Sequence, residues 1–201
     1  MKKIILIIII LLTGCTKYTD LKDLTIIKSI GIIYENKYTI YAQIYDEIKK
    51  DSDPKTKIIE SNGKTIEEAL NNLKNKVNKE IFLSHIDLLI LDTKLDNSNY
   101  SEIINYFIHN DEFRNDFLTI LSSDIYTLLS KTKYDEIENF IKSNNNIKDI
   151  ANISFEEIAN NYLENNQFKI TCINYNNYFE YENYFFNNYS MKRFDNEKNR
   201  T

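Results

Sequence analysis

The stretch Ser61–Asp92, SNGKTIEEALNNLKNKVNKEIFLSHIDLLILD, decides the fold. Asn62-Gly63 is a turn dipeptide. Thr65 followed by Glu68 has capping-box spacing, in which each side chain satisfies an orphan backbone donor at a helix start. Ile66, Ala69, Leu70, Leu73 and Val77 then fall at i, i+3, i+4, i+7 and i+11. That spacing draws one apolar stripe along a helix and leaves Asn, Lys and Glu on the opposite side. After a short link over Ile81–Ile86, Leu88-Leu89-Ile90-Leu91 runs unbroken between Asp87 and Asp92. A strand without polar alternation is covered on both faces, so this one belongs at the centre of its sheet. An amphipathic helix feeding a buried strand sets the expected fold class: α/β, a mixed sheet with flanking helices.

Upstream, Leu24–Ile33 and Tyr38–Tyr45 read as two strands of an antiparallel hairpin around Glu35-Asn36. Asp46–Thr56 is charged and contains Pro54, a surface loop before a short strand at Lys57–Glu60. Downstream, Asn99–His109 reads as a helix capped by Asn99 and Glu102, and Phe117–Leu121 as the next strand. Asp124–Ser130 and Tyr134–Lys142 follow as helices, with a loop at Ser143–Asn146. Ser154 and Glu157 form a second capping box, opening a helix with Ile158, Ala159, Tyr162 and Leu163 inward. Phe168–Tyr175 and Tyr178–Phe186 are strands joined at Asn176-Asn177, since Asn tolerates the positive φ of a tight turn. The expected organisation is a core over 24–143, a helix plus aromatic hairpin over 144–190 that begins a second region, and a charged, frayed tail over 191–201.

The chain has 201 residues, 42% hydrophobic and 27% charged, enough for one core, or one core with a small appendage. Its formal charge is -5 and it carries no basic stripe, which excludes a nucleic-acid partner. Residues 1–14 read as a signal peptide outside the fold. Lys2-Lys3 supplies the positive start, and the nine apolar residues Ile4–Leu12 fall far short of the ~20 that span a bilayer. Leu12-Thr13-Gly14-Cys15 has the form of a lipobox. Small residues admit the peptide to a lipoprotein signal peptidase, and the Cys15 thiol takes a diacylglyceryl thioether. The competing readings are a plain secretion signal with an incidental Cys, or a buried N-terminal strand. Two acyl chains at ~0.8 kcal/mol per buried CH₂ make a stable anchor where one is marginal. Residues 15–23 are then the lipidated Cys and its tether. The expected site is the outer face of the cell membrane, with the lipid bilayer contacted through Cys15. Cys172 is left without a disulfide partner and reads as a small buried hydrophobe beside Phe168 and Ile170.

No residue pattern for catalysis emerges. His85 and His109 stand in no metal-ligand spacing. His85 sits at a helix-to-strand junction, and His109 closes a helix whose dipole favours a partly positive ring. Asp111, Glu112 and Arg114 suggest a local ion pair on a solvated helix exit. There is no phosphate-cradling glycine loop, no paired CxxC and no nucleophile elbow, so no cofactor and no metal are expected. The aromatic stretch Tyr175–Tyr189 holds more rings than one strand face buries. Within it Tyr178, Tyr181, Tyr184 and Phe186 form a candidate contact surface, since Tyr and Phe favour interfaces; hairpin and core packing is the alternative.

The order of these features resembles the N-terminal domain of the Ger(x)C family, the lipoprotein subunit of spore germinant receptors. The resemblance is carried by Cys15, Ser29-Ile30-Gly31-Ile32, Gly63–Ala69, Phe82-Leu83-Ser84-His85, Leu88–Leu91 and Asn110-Asp111-Glu112-Phe113-Arg114. It implies a non-enzymatic, membrane-anchored subunit that acts in germination with two integral membrane subunits, of the A and B types. In a sporulating cell it implies the spore inner membrane. The chain departs from the family pattern in having no Trp after the lipidated Cys. It also stops soon after Phe185-Phe186, where members continue into a larger domain, so a short paralogue or a truncated product is expected. A generic solute-binding or cell-envelope lipoprotein, and a lipid-anchored hydrolase, are the competing functions.

Overall fold

The computed structural model describes residues 24–45, 56–77, 80–148, 150–165, 167–187 and 190–193. Leu12, Thr13, Gly14, Cys15 and the tether to residue 23 lie outside the described residues, as does most of the loop with Pro54. The fold is α/β. Among the described residues nine strands form one mixed sheet: β1 (Leu24–Tyr34), β2 (Tyr38–Tyr45), β3 (Thr56–Gly63), β4 (Glu80–Phe82), β5 (Leu88–Asp92), β6 (Leu118–Ser122), β7 (Phe168–Tyr175), β8 (Phe179–Asn187) and β9 (Ser190–Arg193). Their order is β3-β2-β1-β5-β6-β7-β8-β9, with β4 beside the first residues of β1. β1, β5, β6 and β7 are parallel; β2–β3 and β8–β9 extend the two sides in antiparallel pairing. Residues 144–190 thus contribute two strands and part of a third to the same sheet that holds β1.

Helices α1 (Ile66–Lys76), α2 (Asn97–Ile108) and α5 (Phe155–Leu163) pack on one face, and α3 (Ile125–Lys131) and α4 (Tyr134–Lys148) on the other. β5 lies between the layers with all five residues buried, the central position its unbroken apolar run requires. Leu89 and Leu91 enter the first core; Leu88 and Ile90 enter the second. The link before β5 is itself ordered. β4 pairs with β1, a 3-10 turn at Leu83–His85 follows, and β5 then pairs with β1 beyond its Ile27–Ser29 bulge. The two short strands occupy one side of β1 in succession.

α1 follows its expected cap. Thr65 Oγ1 accepts from the Glu68 amide at 3.1 Å, and the Glu68 carboxylate accepts from the Lys64 amide at 2.7 Å. Ile66, Ala69, Leu70 and Leu73 are buried, whereas Val77 is the extended C-cap residue and ends the stripe. Asn62-Gly63 is not the turn its composition suggests. β3 runs through both residues and no glycine among the described residues has positive φ. Gly63 is required by close approach: a Cβ there would overlap the Ala69 amide and lie 2.8 Å from Glu68 Cβ. Asn72, on the polar side of α1, donates to the Asn62 carbonyl at 2.8 Å and ties the helix to β3.

Three further expectations are corrected. α2 begins at Asn97, because Asp96 rather than Asn99 is the N-cap. Its ionised carboxylate accepts from the Asn99 amide at 2.9 Å, and the Asn99 side chain returns the bond at 3.2 Å. Glu102 instead accepts from the Tyr38 hydroxyl at 2.8 Å. α4 continues through Ser143–Asn146, where Asn144 donates to the Phe140 carbonyl one turn back at 2.7 Å, so this Asn-rich run is helix, not loop. The first residues of the expected tail, Met191–Arg193, pair with β8 as part of β9.

Candidate functional site

β7 and β8 pair from Phe168↔Phe186 to Tyr175↔Phe179, so the connection is three residues, Asn176–Tyr178. Asn177 takes a φ of 61°, the positive value that Asn adopts at low cost, and the Asn176 amide donates to the Tyr178 carbonyl at 3.0 Å. The two-residue turn expected from Asn176-Asn177 therefore contains Tyr178 as well. This places the tyrosine at the tip, 63% exposed.

The alternation of β8 separates the four candidate contact residues. Tyr181 faces the second core, is half-buried and stands near Phe140, with centroids 6.5 Å apart. Tyr184 faces the first core and is half-buried. Phe186 is 1% exposed, stacked on Phe168 at 4.8 Å and against Tyr162 at 5.3 Å. Phe186 is core, which corrects its placement on a contact surface. A β-strand sends neighbouring side chains to opposite faces, so the three rings on β8 and Tyr178 in the turn do not make one patch.

The exposed aromatic surface extends elsewhere. β1, β6 and β7 are parallel, and the three tyrosines exposed among the described residues, Tyr34, Tyr126 and Tyr178, lie at or just after their carboxyl ends. Tyr34 is the last residue of β1, Tyr126 is the second residue of α3 after β6, and Tyr178 is in the turn after β7. The Tyr126 ring meets Tyr41 edge-on at 5.6 Å. Glu180 accepts from the Tyr178 hydroxyl and raises its pKa. Tyr34 and Tyr126 were not singled out from the sequence. Nothing in their local spacing marks them, because strand order alone brings them to the same end as Tyr178.

At the amino end of β5 and β6 a polar cleft of about 350 Å³ is lined by Asp87, Arg114, Asp116, Glu138 and Lys142 among others. Its charges are paired within the protein. Lys28 bonds Asp87, Arg114 meets Asp116 at 2.6 Å, and Lys142 meets Glu138 at 2.8 Å. Arg114 holds the Asp116 carboxyl below the usual range, and Lys142 with the Tyr134 hydroxyl does the same to Glu138. The ion pair expected among Asp111, Glu112 and Arg114 does not form. Arg114 takes Asp116, and Glu112 takes Lys74 of α1 at 2.7 Å. Between them Phe113 is inserted into a ring cluster, 4.5 Å from Phe107.

The two histidines have structural surroundings. His85 is exposed in the 3-10 turn with its ring 4.8 Å from Phe82, and His109 is the C-cap of α2, its Nδ1 2.8 Å from the Asn105 carbonyl. Cys172 is 2% exposed in the first core, as expected. Burial, reinforced by the charge of Glu182, pushes its thiol up to about 12, so the nucleophilic thiolate is suppressed. Among the described residues no group of three or more His, Cys, Asp or Glu is placed to hold a metal ion, and no helix is long and apolar enough to cross a membrane.

Comparison with known proteins adds one finding. The family model described as the spore germination protein N-terminal domain matches residues 17–175, the greater part of the chain. No curated protein and no solved structure matches.

Proposed function

The chain belongs to the spore germination protein N-terminal domain family, and from that membership we propose that it is a lipid-anchored subunit of a spore germinant receptor that works by contact. The observation that carries this reading is the family match over 17–175, which begins two residues after the lipobox cysteine. Cys15 takes the lipid, residues 16–23 form a short tether, and the α/β domain stands on the outer face of the membrane. In a sporulating cell this is the spore inner membrane. Its partners are the bilayer and the integral receptor subunits of the A and B types. The exposed tyrosines at the carboxyl end of the sheet, Tyr178 foremost, supply a surface of the kind such contacts use: large, rigid rings with a polar tip. The subunit contributes binding and position, not a reaction of its own. The charged groups of the polar cleft are engaged in ion pairs or a helix cap, and the Cys172 thiol is buried and protonated, which supports this reading.

Metabolic labelling with palmitate tests the anchor. The wild-type chain is expected to incorporate label and sediment with membranes, and Cys15→Ala to do neither. Equal labelling of the two forms would overturn the proposal.

A further inference from the structure

The large apolar side chains exposed among the described residues sort by position. Tyr34, Tyr126 and Tyr178 lie at the carboxyl end of the parallel strands, and Leu163 ends α5. Ile26 and Phe82, 37% and 39% exposed, lie at the opposite end. They are register partners in the β1–β4 ladder, so their side chains stand together. The tyrosines carry hydroxyls suited to a wet interface; Ile26 and Phe82 carry none.

Chain length says what meets the Ile26–Phe82 end. Only residues 16–23 separate Cys15 from β1. At ~3.5 Å per residue that span reaches at most about 30 Å. β1 itself has 11 residues, which at ~3.3 Å each carry its far end about 35 Å further from the tether. With Cys15 in the bilayer, the amino end of β1 lies within about 30 Å of it, and the tyrosine end can stand about 35 Å further away. We propose that Ile26 and Phe82 dock on the lipid surface and orient the domain, amino end down. The inference rests on the reading of Cys15 as lipidated. Two side chains do not hold a protein on a membrane unaided. Here the anchor supplies the high effective concentration, and the pair selects which face turns to the lipid.

The test uses the full, lipidated chain in phosphatidylcholine–phosphatidylglycerol vesicles, with an environment-sensitive dye on Phe82→Cys, Ile26→Cys or Tyr178→Cys. Cys15 is acylated and Cys172 is 2% exposed, so labelling is confined to the new thiol. Lipids brominated near the headgroup are expected to quench the dye at positions 82 and 26 at least about three-fold more than at 178, as shallow interfacial insertion requires. The Ile26 reporter covers the case in which Phe82→Cys disturbs β4. Equal quenching at both ends, or stronger quenching at 178, overturns the orientation. A blue-shifted dye that the brominated lipid does not quench means protein contact, such as a second copy, and also overturns it. A chain that fails to float with the vesicles fails the anchor itself and removes the inference with it, a result distinct from floating without orientation.

Discussion

The two faces of the sheet are built by different means. On the face of α1, α2 and α5 the core is made by large rings and long stripes. Phe107 lies 5.4 Å from Phe155 and 5.7 Å from Phe117, and Phe117 stacks on Phe155 at 5.1 Å. On the face of α3 and α4, α3 comes close to β1. Gly31 of β1 leaves a space that Ile125 fills, and a Cβ at Gly31 would overlap the Ile125 Cγ2. A buried amide secures that approach. Gln43 Nε2 donates to the Leu129 and Thr132 carbonyls at 2.7 and 2.6 Å, satisfying the carboxyl end of α3. The first face rests mainly on ring packing, with one close approach at Gly63; the second rests on the close approach at Gly31 and on the buried amide of Gln43.

Emptying the centre should cost most and fall equally on both faces. Leu89→Ala on the first face and Ile90→Ala on the second each remove a fully buried side chain, for about 2–5 kcal/mol by chemical denaturation. A loss at one face only would mean that β5 is not sandwiched. Gly31→Ala separates the faces. It should cost about 1–3 kcal/mol through overpacking against Ile125. Adding Ile125→Ala should then cost less in the Gly31→Ala background than in wild type. Simple additivity would mean α3 does not rest on Gly31. Gln43→Leu should cost about 1–3 kcal/mol, because two buried carbonyls lose their donor. Smallest is the polar side of α1: Asn72→Ala loses a half-buried bond to β3 worth about 1 kcal/mol. The exposed neighbour Asn71→Ala should stay within about 0.5 kcal/mol.

Alkaline titration probes the buried thiol and phenols. Burial raises the pKa of Cys172 and of Tyr38, Tyr100 and Tyr134. The native state then holds these protons more tightly than the unfolded chain. Their contribution is fully present below the unfolded values of 9.0 for Cys and 10.0 for Tyr and is lost as pH rises above them. The melting temperature should fall steadily above about pH 9. A flat profile to pH 11 would mean these groups are solvated.

The helices of both faces were legible in sequence, but the contacts that seat α3 on the sheet were not. The α1 stripe, its Thr65–Glu68 cap, the buried β5 run and the Ser154–Glu157 box are local patterns, and each appears where its spacing places it. Gly31 and Gln43 carry no local sign of their roles. Each acts on α3, which is some ninety residues away in the chain. Composition misled at Asn-rich segments. Asn62-Gly63 is strand, Ser143–Asn146 is helix, and Asn176–Tyr178 is a turn one residue longer than two asparagines suggest. With one proline and three glycines in the whole chain, Asn fills caps, turns and helix ends alike, so its presence does not discriminate. The aromatic hairpin was legible as a hairpin but not as a surface, since strand alternation buries Phe186 while the turn exposes Tyr178.

The claim that the chain works by contact through its tyrosine end is tested most directly by capture of membrane partners. Full-length wild type and a Tyr126→Ser/Tyr178→Ser double variant would be affinity-purified from membranes of a sporulating host that makes the A- and B-type subunits. Both side chains are more than half exposed, at 55% and 63%, so the variant should melt as wild type does. The account predicts that it recovers about five-fold or more less of the two subunits, the loss expected when exposed aromatic anchors are truncated. Recovery equal to wild type, with the fold intact, would contradict it.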